Sequence, residues 1–424
     1  MTENTPINNT QRIQVVDALR GFAIIAIMLV HFLEHFIYNS YPVSSSPAMA
    51  SVNETVKEAF FFLFAGKSYT MFALLFGFTY AIQYGNQLKK GKDFAGRFAW
   101  RLCLLAGFAC LNAIFFPGGD ILLTFATVGF ILIPARRLST TALVLASFFF
   151  LAQPLEIIYA AVQWILPGWT PPILHAPESY PTLKVFVDSG NFWSMAWHNL
   201  TLGQVASYTW GIDAGRLMQA PGLFILGFIL GKGGFFKESD KNTVFWVRTL
   251  LISAVVSFTF FIAKEVPTLY TPVKTIFTMW HNVSFTGIWV AAFVLLYRLE
   301  YFRKMTAGLT FYGKMSLTNY ISQSIIGSLI FFPYALGLAP YLGYLNSFLV
   351  GLVIMLLQIR FCQWWLARHK YGPLEGLWQC SPYHHKRSLT CVFRGPSGHL
   401  TLIPPYFRLV SSTVFRMRKS PASF

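Results

Sequence analysis

Long apolar runs recur along the whole chain and limit what it can fold into. Ten runs of about 16 to 27 residues are separated by polar segments. Because a bilayer core takes roughly 20 helical residues to cross, the pattern predicts an all-α, polytopic transmembrane helix bundle of about ten spans. The predicted spans are residues 20–38, 60–84, 98–116, 120–135, 140–166, 208–231, 244–263, 276–297, 315–336 and 342–366.

Composition agrees with this fold class. Hydrophobic residues make up 55% of the chain and charged residues 12%, whereas a soluble protein carries about 25% charged residues. The net charge of +17 would indicate nucleic-acid binding in a soluble protein. Here Lys and Arg cluster in short segments between apolar runs, so the charge indicates membrane topology, and no nucleic-acid partner is predicted.

The basic residues also predict the orientation of the spans. Lys and Arg concentrate on one side of the membrane when the loops are counted alternately, and basic residues favour the cytoplasm. Both termini are therefore predicted to be cytoplasmic, N-in and C-in. The other side holds only the lysines Lys57, Lys184, Lys264 and Lys274.

Three parts of the chain follow from this layout. Residues 1–19 form a cytoplasmic N-terminal segment, 20–378 the transmembrane helical domain, and 379–424 a basic, poorly ordered cytoplasmic tail. Within the helical domain, residues from about 167 to 207 are rich in tryptophan, which favours the membrane–water interface. An external loop with an interfacial helix is predicted there.

The first span carries ionisable residues along one face. Arg20 and His31 are eleven positions apart, which at about 100° per residue brings them to within roughly 20° of each other. They would lie roughly 16 Å apart along the helix, with Asp17 near the same line. Ionisable groups inside a membrane usually face a cavity or a partner, so Arg20 and His31 are predicted to face one shared channel.

Each of these two residues has a chemical role and a structural alternative. A neutral imidazole at His31 could act as a general base, or it could hydrogen-bond a neighbouring helix. The Arg20 guanidinium could bind a phosphorylated or carboxylate ligand at the cytoplasmic end, or it could anchor the span to lipid phosphates. Their shared face favours a catalytic role for His31 and a donor-binding role for Arg20.

His31, Glu34 and His35 form a compact cluster in sequence. Histidines at positions i and i+4 of a helix can bind a metal, but no third ligand is evident, and the cysteines contain no CxxC pair. No metal site is predicted. Glu34 and His35 are instead supporting residues of the candidate site, as is Asp17.

Other polar residues within or beside the apolar runs are further candidates. Such side chains either line a site or hydrogen-bond neighbouring helices, and the sequence leaves both alternatives open. GxxxG-like glycines in the second and sixth spans indicate close helix packing. The supporting candidates are Lys67, Asp120, Arg216, His281, Asn319 and Gln323.

Six segments carry a resemblance to a known family. They are DALRGFAIIAIMLVHF, GKSYTMFALLFGF, GGDILLTFA, GRLMQAPGLFILGFILGK, GKMSLTNYISQS and KYGPLEGLW. In this order, over about residues 12–378, they resemble the YeiB-like bacterial multi-pass membrane proteins, a domain of unknown function (418). That family implies no particular activity.

The first span is also similar to that of the transmembrane acyltransferase superfamily, which includes the type-three sugar O-acyltransferases. These proteins begin with an Arg, ten intervening residues and a His, which Arg20 and His31 match. The resemblance implies a ten-helix bundle that uses cytoplasmic acyl-CoA as co-substrate, with no tightly bound cofactor. It further implies that His31 is the base or acyl relay and that Arg20 helps hold the donor.

The leading hypothesis is therefore a membrane-bound O- or N-acyltransferase in the bacterial cytoplasmic (inner) membrane. It would move an acyl group from an acyl-CoA-type donor to an envelope or extracytoplasmic acceptor, with the lipid bilayer as its surroundings. One alternative is a transporter or flippase for a small polar or lipid-linked solute, and another is a non-catalytic membrane partner protein. The sequence specifies neither the acceptor nor the oligomeric state.

Overall fold

The computed structural model describes residues 13–116 and 121–379. Within these ranges the chain is helical and has no β-strand, which confirms the all-α prediction. The first helices are α1 (Gln14–Leu33), α2 (Pro47–Phe64), α3 (Lys67–Leu88), α4 (Ala95–Phe115), α5 (Leu122–Val128), α6 (Leu132–Ala135), α7 (Thr140–Leu151), α8 (Pro154–Ile165), α9 (Ser179–Asp188) and α10 (Phe192–His198). They are followed by α11 (Gln204–Asp213), α12 (Arg216–Gly233), α13 (Asp240–Ala263), α14 (Thr271–Leu296), α15 (Glu300–Met305), α16 (Ala307–Lys314), α17 (Ser316–Phe331), α18 (Tyr344–Leu366) and α19 (Pro373–Gln379).

The protein is a multi-pass membrane protein by the length and composition of its helices. Among the described residues, six helical segments are long and apolar enough to cross a membrane, or up to eight if two bent pairs each form one span. The bent pairs are α7 with α8, at 45°, and Phe192–Asp213 with α12, at 76°. The predicted fourth and ninth spans are short, at Leu122–Ala135 and α17. The prediction of about ten spans is thus not confirmed, and the N-in, C-in orientation stays a prediction.

Two regions are more helical than the sequence indicated. The stretch before the second predicted span forms α2, which ends at Phe64, and α3 begins only after a break at Ala65 and Gly66. The segment predicted as an external loop contains α9 and α10. Residues 380–424 of the predicted tail (379–424) and the first twelve residues lie outside the described part of the chain.

Helix α1 lies in the middle of the bundle. Inside the protein, 83% of its apolar window is buried, compared with 11% for α13. It packs against α3, α16 and α18, so both of its ends are surrounded by other helices. A polar side chain on α1 therefore meets other parts of the protein before it meets lipid, which makes this helix suited to carry a site.

Glycines bring α3 and α12 into close contact. A Cβ atom added at Gly77 would overlap the carbonyl of Phe224, and one added at Gly227 would overlap the carbonyl of Leu74. The two backbones approach this closely because neither glycine has a side chain at the crossing. This confirms the close packing predicted from the glycine pattern. The contact also sets the relative position of α3 and α12, whose first turns line the cavity at the end of α1.

Candidate functional site

A cavity of about 550 Å³ lies at the C-terminal end of α1. Its walls come from the ends of α1, α2, α3, α9, α11, α12 and α18, which the basic-residue distribution predicts to lie on the external side. A largely aromatic wall with a few polar groups is typical of a small-molecule site. Its polar and aromatic lining includes His31, Glu34, Tyr41, Lys57, Phe61, Phe64, Ser68, Tyr69, Tyr180, Trp210, Arg216 and Tyr344.

His31 and Glu34 form a hydrogen-bonded pair in this cavity. Nδ1 of His31 lies 3.2 Å from Oε2 of Glu34, and the two side chains are 14% and 27% exposed. The imidazole also contacts the edge of Phe116, with ring centroids 4.8 Å apart. The ring is thus held in place on one side by a carboxylate and on another by an aromatic wall, while it stays accessible from the cavity.

Arg216 reaches the same cavity from the bend between α11 and α12. Its guanidinium carbon lies 4.4 Å from the centroid of the Trp210 ring and 4.7 Å from that of Tyr69. Gly215 allows the bend because it adopts a φ of 76°, which is unfavourable for residues with a side chain. The structure therefore places Arg216 on the wall of the same cavity as His31 and Glu34, although Arg216 is far from both in sequence.

The break before α3 shapes another wall. Gly66 has a φ of 75°, and the side chain of Asn282 fills the space where a Cβ would lie. The break places Ser68 and Tyr69 on the cavity wall. On the facing helix α9, burial raises the pKa of Tyr180 to about 12, so this phenol stays protonated at neutral pH.

Arg20 lies towards the other end of α1 and does not line this cavity. Its guanidinium donates to Asp17 Oδ1 at 3.1 Å, to Thr79 Oγ1 at 2.7 Å and to the carbonyl of Gly313 at 3.5 Å. Ile24, on the stripe between Arg20 and His31, is fully buried. The expectation of one channel shared by Arg20 and His31 is therefore wrong, because packed hydrocarbon separates the two on their common helix face.

His35 points away from the cavity. The helix α1 ends at Leu33, and His35 takes a φ of 48°, so the i, i+4 relation to His31 is lost. Its Nε2 lies 2.6 Å from Ser347 Oγ and its Nδ1 lies 2.8 Å from the carbonyl of Ser40. The compact cluster expected from the sequence therefore does not form, and within the described residues no three potential metal ligands come together.

Lys67 and His281 flank Phe285 outside the cavity. Lys67 Nζ lies 5.5 Å from the centroid of the Phe285 ring, and His281 packs against the same ring at 5.6 Å. His281 is buried, with Nδ1 3.0 Å from the carbonyl of Ser257. Both residues therefore contact neighbouring helices rather than the space around His31.

Of the remaining polar candidates, two are buried between helices and one lies outside the described residues. Asn319 is buried and donates to the carbonyl of Tyr312 at 2.9 Å and to the Cys362 sulfur at 3.2 Å. Gln323 is also buried, and its Oε1 has no hydrogen-bond partner among the described residues. Asp120 lies outside the described residues, so its predicted role is not addressed.

A second, narrow pocket of about 40 Å³ lies next to the cavity and is called the slot. It is lined by Phe72, Phe76, Leu105, Leu122, Phe125, Ser316, Leu317, Tyr320 and Trp378. Ile121 lines the cavity and the next residue, Leu122, lines the slot. The ring of Tyr69 in the cavity lies 5.8 Å from that of Phe125 in the slot. These residues bring the linings of the two spaces into contact.

Two arginines lie near the slot without lining it. Arg101 is 8% exposed, its guanidinium carbon lies 4.1 Å from the Trp378 ring centroid, and its carbonyl accepts from Trp378 Nε1 at 3.0 Å. Arg20 binds Thr79 and Gly313, each three residues from a residue of the slot. Sequence reasoning missed the slot and Arg101, because only tertiary packing joins helices α3, α4, α5, α17 and α19.

Two known family models match this chain, each over a different part of it. Residues 12–180 match the model "Heparan-alpha-glucosaminide N-acetyltransferase, catalytic". Residues 230–384 match the model "Protein of unknown function (DUF418)". The part at residues 230–384 is thus similar to the DUF418 family, and the part at residues 12–180 to an acyltransferase catalytic domain. The first match contains His31, Glu34 and Tyr69, whereas Arg216 lies outside both.

Two uncharacterized proteins are similar to this chain over nearly its whole length. The uncharacterized protein YxaH of Bacillus subtilis (strain 168) is 25% identical, over 90% of this chain and 97% of the relative. The uncharacterized protein YeiB of Escherichia coli (strain K12) is 26% identical, over 91% and 98%. No solved structure gives a significant match. The resemblance to YeiB-like proteins drawn from the six sequence segments is confirmed.

Proposed function

We propose that this protein is a membrane-bound acyltransferase that uses an acyl-CoA-type donor, with His31 as its general base. The observation that carries the proposal is the His31–Glu34 pair on the wall of the cavity. A base held by a carboxylate and open to a pocket is the arrangement expected for proton abstraction from a bound acceptor. The match of residues 12–180 to an N-acetyltransferase catalytic domain supports the same class of reaction.

The pairing assigns the protons on the imidazole. An ionised carboxylate only accepts hydrogen bonds, so Nδ1 of His31 must be the donor to Glu34. In the neutral imidazole, Nε2 is then the unprotonated nitrogen with the free lone pair. Glu34 also stabilises the imidazolium that forms when Nε2 takes up a proton, as the carboxylate does in hydrolase triads.

The reaction proceeds by attack of the acceptor on the thioester. Nε2 of His31 takes the proton from an acceptor hydroxyl or amine as its oxygen or nitrogen forms a bond to the thioester carbonyl carbon. The tetrahedral intermediate collapses when the carbon–sulfur bond breaks. The CoA thiolate leaves with the electron pair and receives the proton from His31, which yields an ester or amide and free CoA thiol.

The slot supports a route for the donor. Its side chains are mostly apolar, and Phe125 of the slot contacts Tyr69 of the cavity. Arg101 contacts Trp378 of the slot, and Arg20 lies towards the end of α1 that is predicted to be cytoplasmic. Guanidinium groups there would suit donor phosphates. A pocket of about 40 Å³ is too small for a pantetheine arm, so the rings of Phe72 and Phe125 must separate when the donor enters.

This arrangement gives each substrate its own side of the membrane. The donor would come from the cytoplasm through the slot, and the acceptor would enter the cavity from the opposite side of the bacterial inner membrane. The orientation underlying this assignment is the one predicted from the basic residues. Acyl transfer to an envelope acceptor follows from it.

The experiment uses the full chain in nanodiscs with labelled acetyl-CoA and an extract of envelope material as acceptor. Label entering the acceptor and CoA thiol released are measured for wild type, His31→Ala and His198→Ala. His198 is a matched control because it stacks on Phe186 and does not line the cavity. We expect the transfer rate of His31→Ala to be at least about 100-fold lower than that of wild type. The rate of His198→Ala should equal that of wild type.

Two results would overturn the proposal. The first is undiminished transfer by a correctly folded His31→Ala protein. The second is uptake of a solute by wild-type proteoliposomes that needs no acyl donor, together with no labelled acceptor. The second result would favour the transporter hypothesis.

A further inference from the structure

Arg216 combines three features that no other cavity residue shares. It is a cation, it lines the cavity that contains His31, and two aromatic rings lie against it. The Trp210 and Tyr69 rings limit how the guanidinium can rotate, so its position is set before any ligand arrives. A preorganised group binds with a smaller entropy cost than a flexible one.

The chemistry of the guanidinium then selects the ligand. The guanidinium carbon lies over both rings, and the donors of the group lie at its edge, in its own plane. The planar edge matches the two oxygens of a carboxylate or a phosphate, which it binds with two parallel hydrogen bonds. Stacking on Trp210 and Tyr69 thus prepares Arg216 for an anionic group in the cavity.

Tyr69 supplies a second, independent observation. This residue is 5% exposed and lines the same cavity. Its hydroxyl is buried and has no hydrogen-bond partner among the described residues. A buried hydroxyl without a partner is energetically unfavourable. The hydroxyl itself has no surface open to the cavity, so the Tyr69 ring must turn slightly for an anionic ligand on the neighbouring guanidinium to provide the missing acceptor.

The other charged residues on the cavity wall have protein partners. Glu34 accepts from His31, and Lys57 Nζ donates to Glu54 Oε1 at 3.0 Å. The Glu34 carboxylate is therefore already engaged with the catalytic imidazole. A negative ligand group would be repelled near Glu34 and attracted near Arg216, so the two residues would orient a bound acceptor.

We infer that the cavity binds a molecule with a carboxylate or phosphate group, held by Arg216 and the hydroxyl of Tyr69. This inference rests on the proposed function only in naming that molecule the acyl acceptor. The anionic group would dock at Arg216 while a hydroxyl or amine of the same molecule lies at Nε2 of His31. Arg216 is then a residue that determines specificity for acidic acceptors.

The test measures binding without any acyl donor. Glycerol 3-phosphate and glycerate serve as anionic probes and glycerol as the neutral probe, titrated calorimetrically into the full chain in phosphatidylcholine nanodiscs. We expect both anions to bind at least tenfold more tightly than glycerol. Arg216→Gln should weaken anion binding at least tenfold, Arg216→Lys should weaken it less, and Tyr69→Phe should weaken it several-fold.

Arg368→Gln is the matched control, because Arg368 also stacks on a tryptophan, Trp364, at 4.8 Å but lies outside the cavity. Its anion affinity should equal that of wild type. Phosphatidylglycerol nanodiscs separate the two sources of the anion. A lipid headgroup in the cavity would compete with glycerol 3-phosphate there, whereas a soluble acceptor would leave its affinity unchanged.

The inference is overturned if wild type binds anions no better than glycerol, or if folded Arg216 variants bind them like wild type. Melting temperatures establish folding, and Tyr69→Phe offers a separate test should the Arg216 variants unfold. Because no acyl group is transferred in this assay, failure of the proposed transferase reaction would leave the result intact. Loss of anion binding would likewise leave the role of His31 unaffected.

Discussion

His31 and Glu34 are joined by a hydrogen bond of 3.2 Å at the point where α1 ends. Both residues belong to the last turn and cap of one central helix, so their relative position is fixed by local backbone geometry. Their surroundings come from distant helices, which close the cavity around them. The catalytic pair therefore depends on one helix end, whereas the pocket around it depends on contacts between segments far apart in sequence.

Glu34→Gln should reduce the rate of acyl transfer by about 10- to 1000-fold, with a smaller effect on the Michaelis constant for the acceptor. A neutral amide no longer stabilises the imidazolium, and it can hold the ring in the wrong tautomer. Steady-state kinetics on the purified chain measure both constants. Glu300→Gln is the control, since Glu300 pairs with Lys304 on an exposed helix outside the cavity. Equal rates in both variants would show that the pair has no catalytic role.

Ser316→Phe should obstruct the slot and raise the Michaelis constant for acyl-CoA about tenfold or more. Ser316 is a small, partly buried residue of the slot, so a phenyl ring there would occupy the space the donor needs. Ser316→Ala preserves the volume and should behave like wild type. Titration with acyl-CoA at saturating acceptor measures the effect. An unchanged constant in a folded Ser316→Phe protein would place the donor route elsewhere.

Gly77→Ala should destabilise the protein by about 1–3 kcal/mol or prevent folding, because the new methyl group would meet the Phe224 backbone. Gly85 lies on the same helix, with no atom within 4 Å of the added Cβ. Gly85→Ala should therefore leave stability unchanged or raise it by about 0.5–1 kcal/mol. Thermal unfolding in detergent compares the two. Similar melting temperatures would argue against the close contact between α3 and α12.

Acid should loosen the C-terminal end of α9. Burial favours the neutral form of Asp188, but hydrogen bonds from Lys184 and Tyr38 outweigh it and hold the pKa below the ordinary 3.8. The stabilisation is therefore present above about pH 3.8 and is lost as the pH falls through the lower value in the folded protein.

Hydrogen exchange of α9 measured at decreasing pH tests this acid effect. We expect protection to fall with pH in wild type and to be weaker and nearly independent of pH in Asp188→Asn. Glu178→Gln, at the other end of the helix, is the control and should follow wild type. Identical profiles for wild type and Asp188→Asn would contradict the prediction.

Much of the first helix could be predicted from sequence, because helical periodicity is a local property. Arg20 and His31 do share a face of α1, and Glu34 is close enough to pair with His31. The error at His35 arose where the helix ends, since three positive φ angles from His35 to Ile37 redirect the chain. Apolar periodicity does not reveal such a reversal.

The rest of the site depends on contacts between distant segments. Ile24 separates Arg20 from His31 because of how the neighbouring helices pack, and its own sequence position gives no sign of this. The sequence identified Arg216 as a candidate but did not indicate its neighbours. In the structure, the bend at Gly215 places it beside Tyr69 and Trp210. The relation to an acyltransferase catalytic domain is confirmed, whereas the roles of the individual residues stay predictions.

The closeness of Tyr69 and Phe125 has an electrical consequence. If water fills both the cavity and the slot, most of the transmembrane voltage falls across the septum formed by these rings. That septum must then open for a thioester without conducting protons. If the slot also opens to the cytoplasm, smaller side chains here would let ions leak across the membrane, and insulation as well as catalysis would then restrict which residues can occupy these two positions.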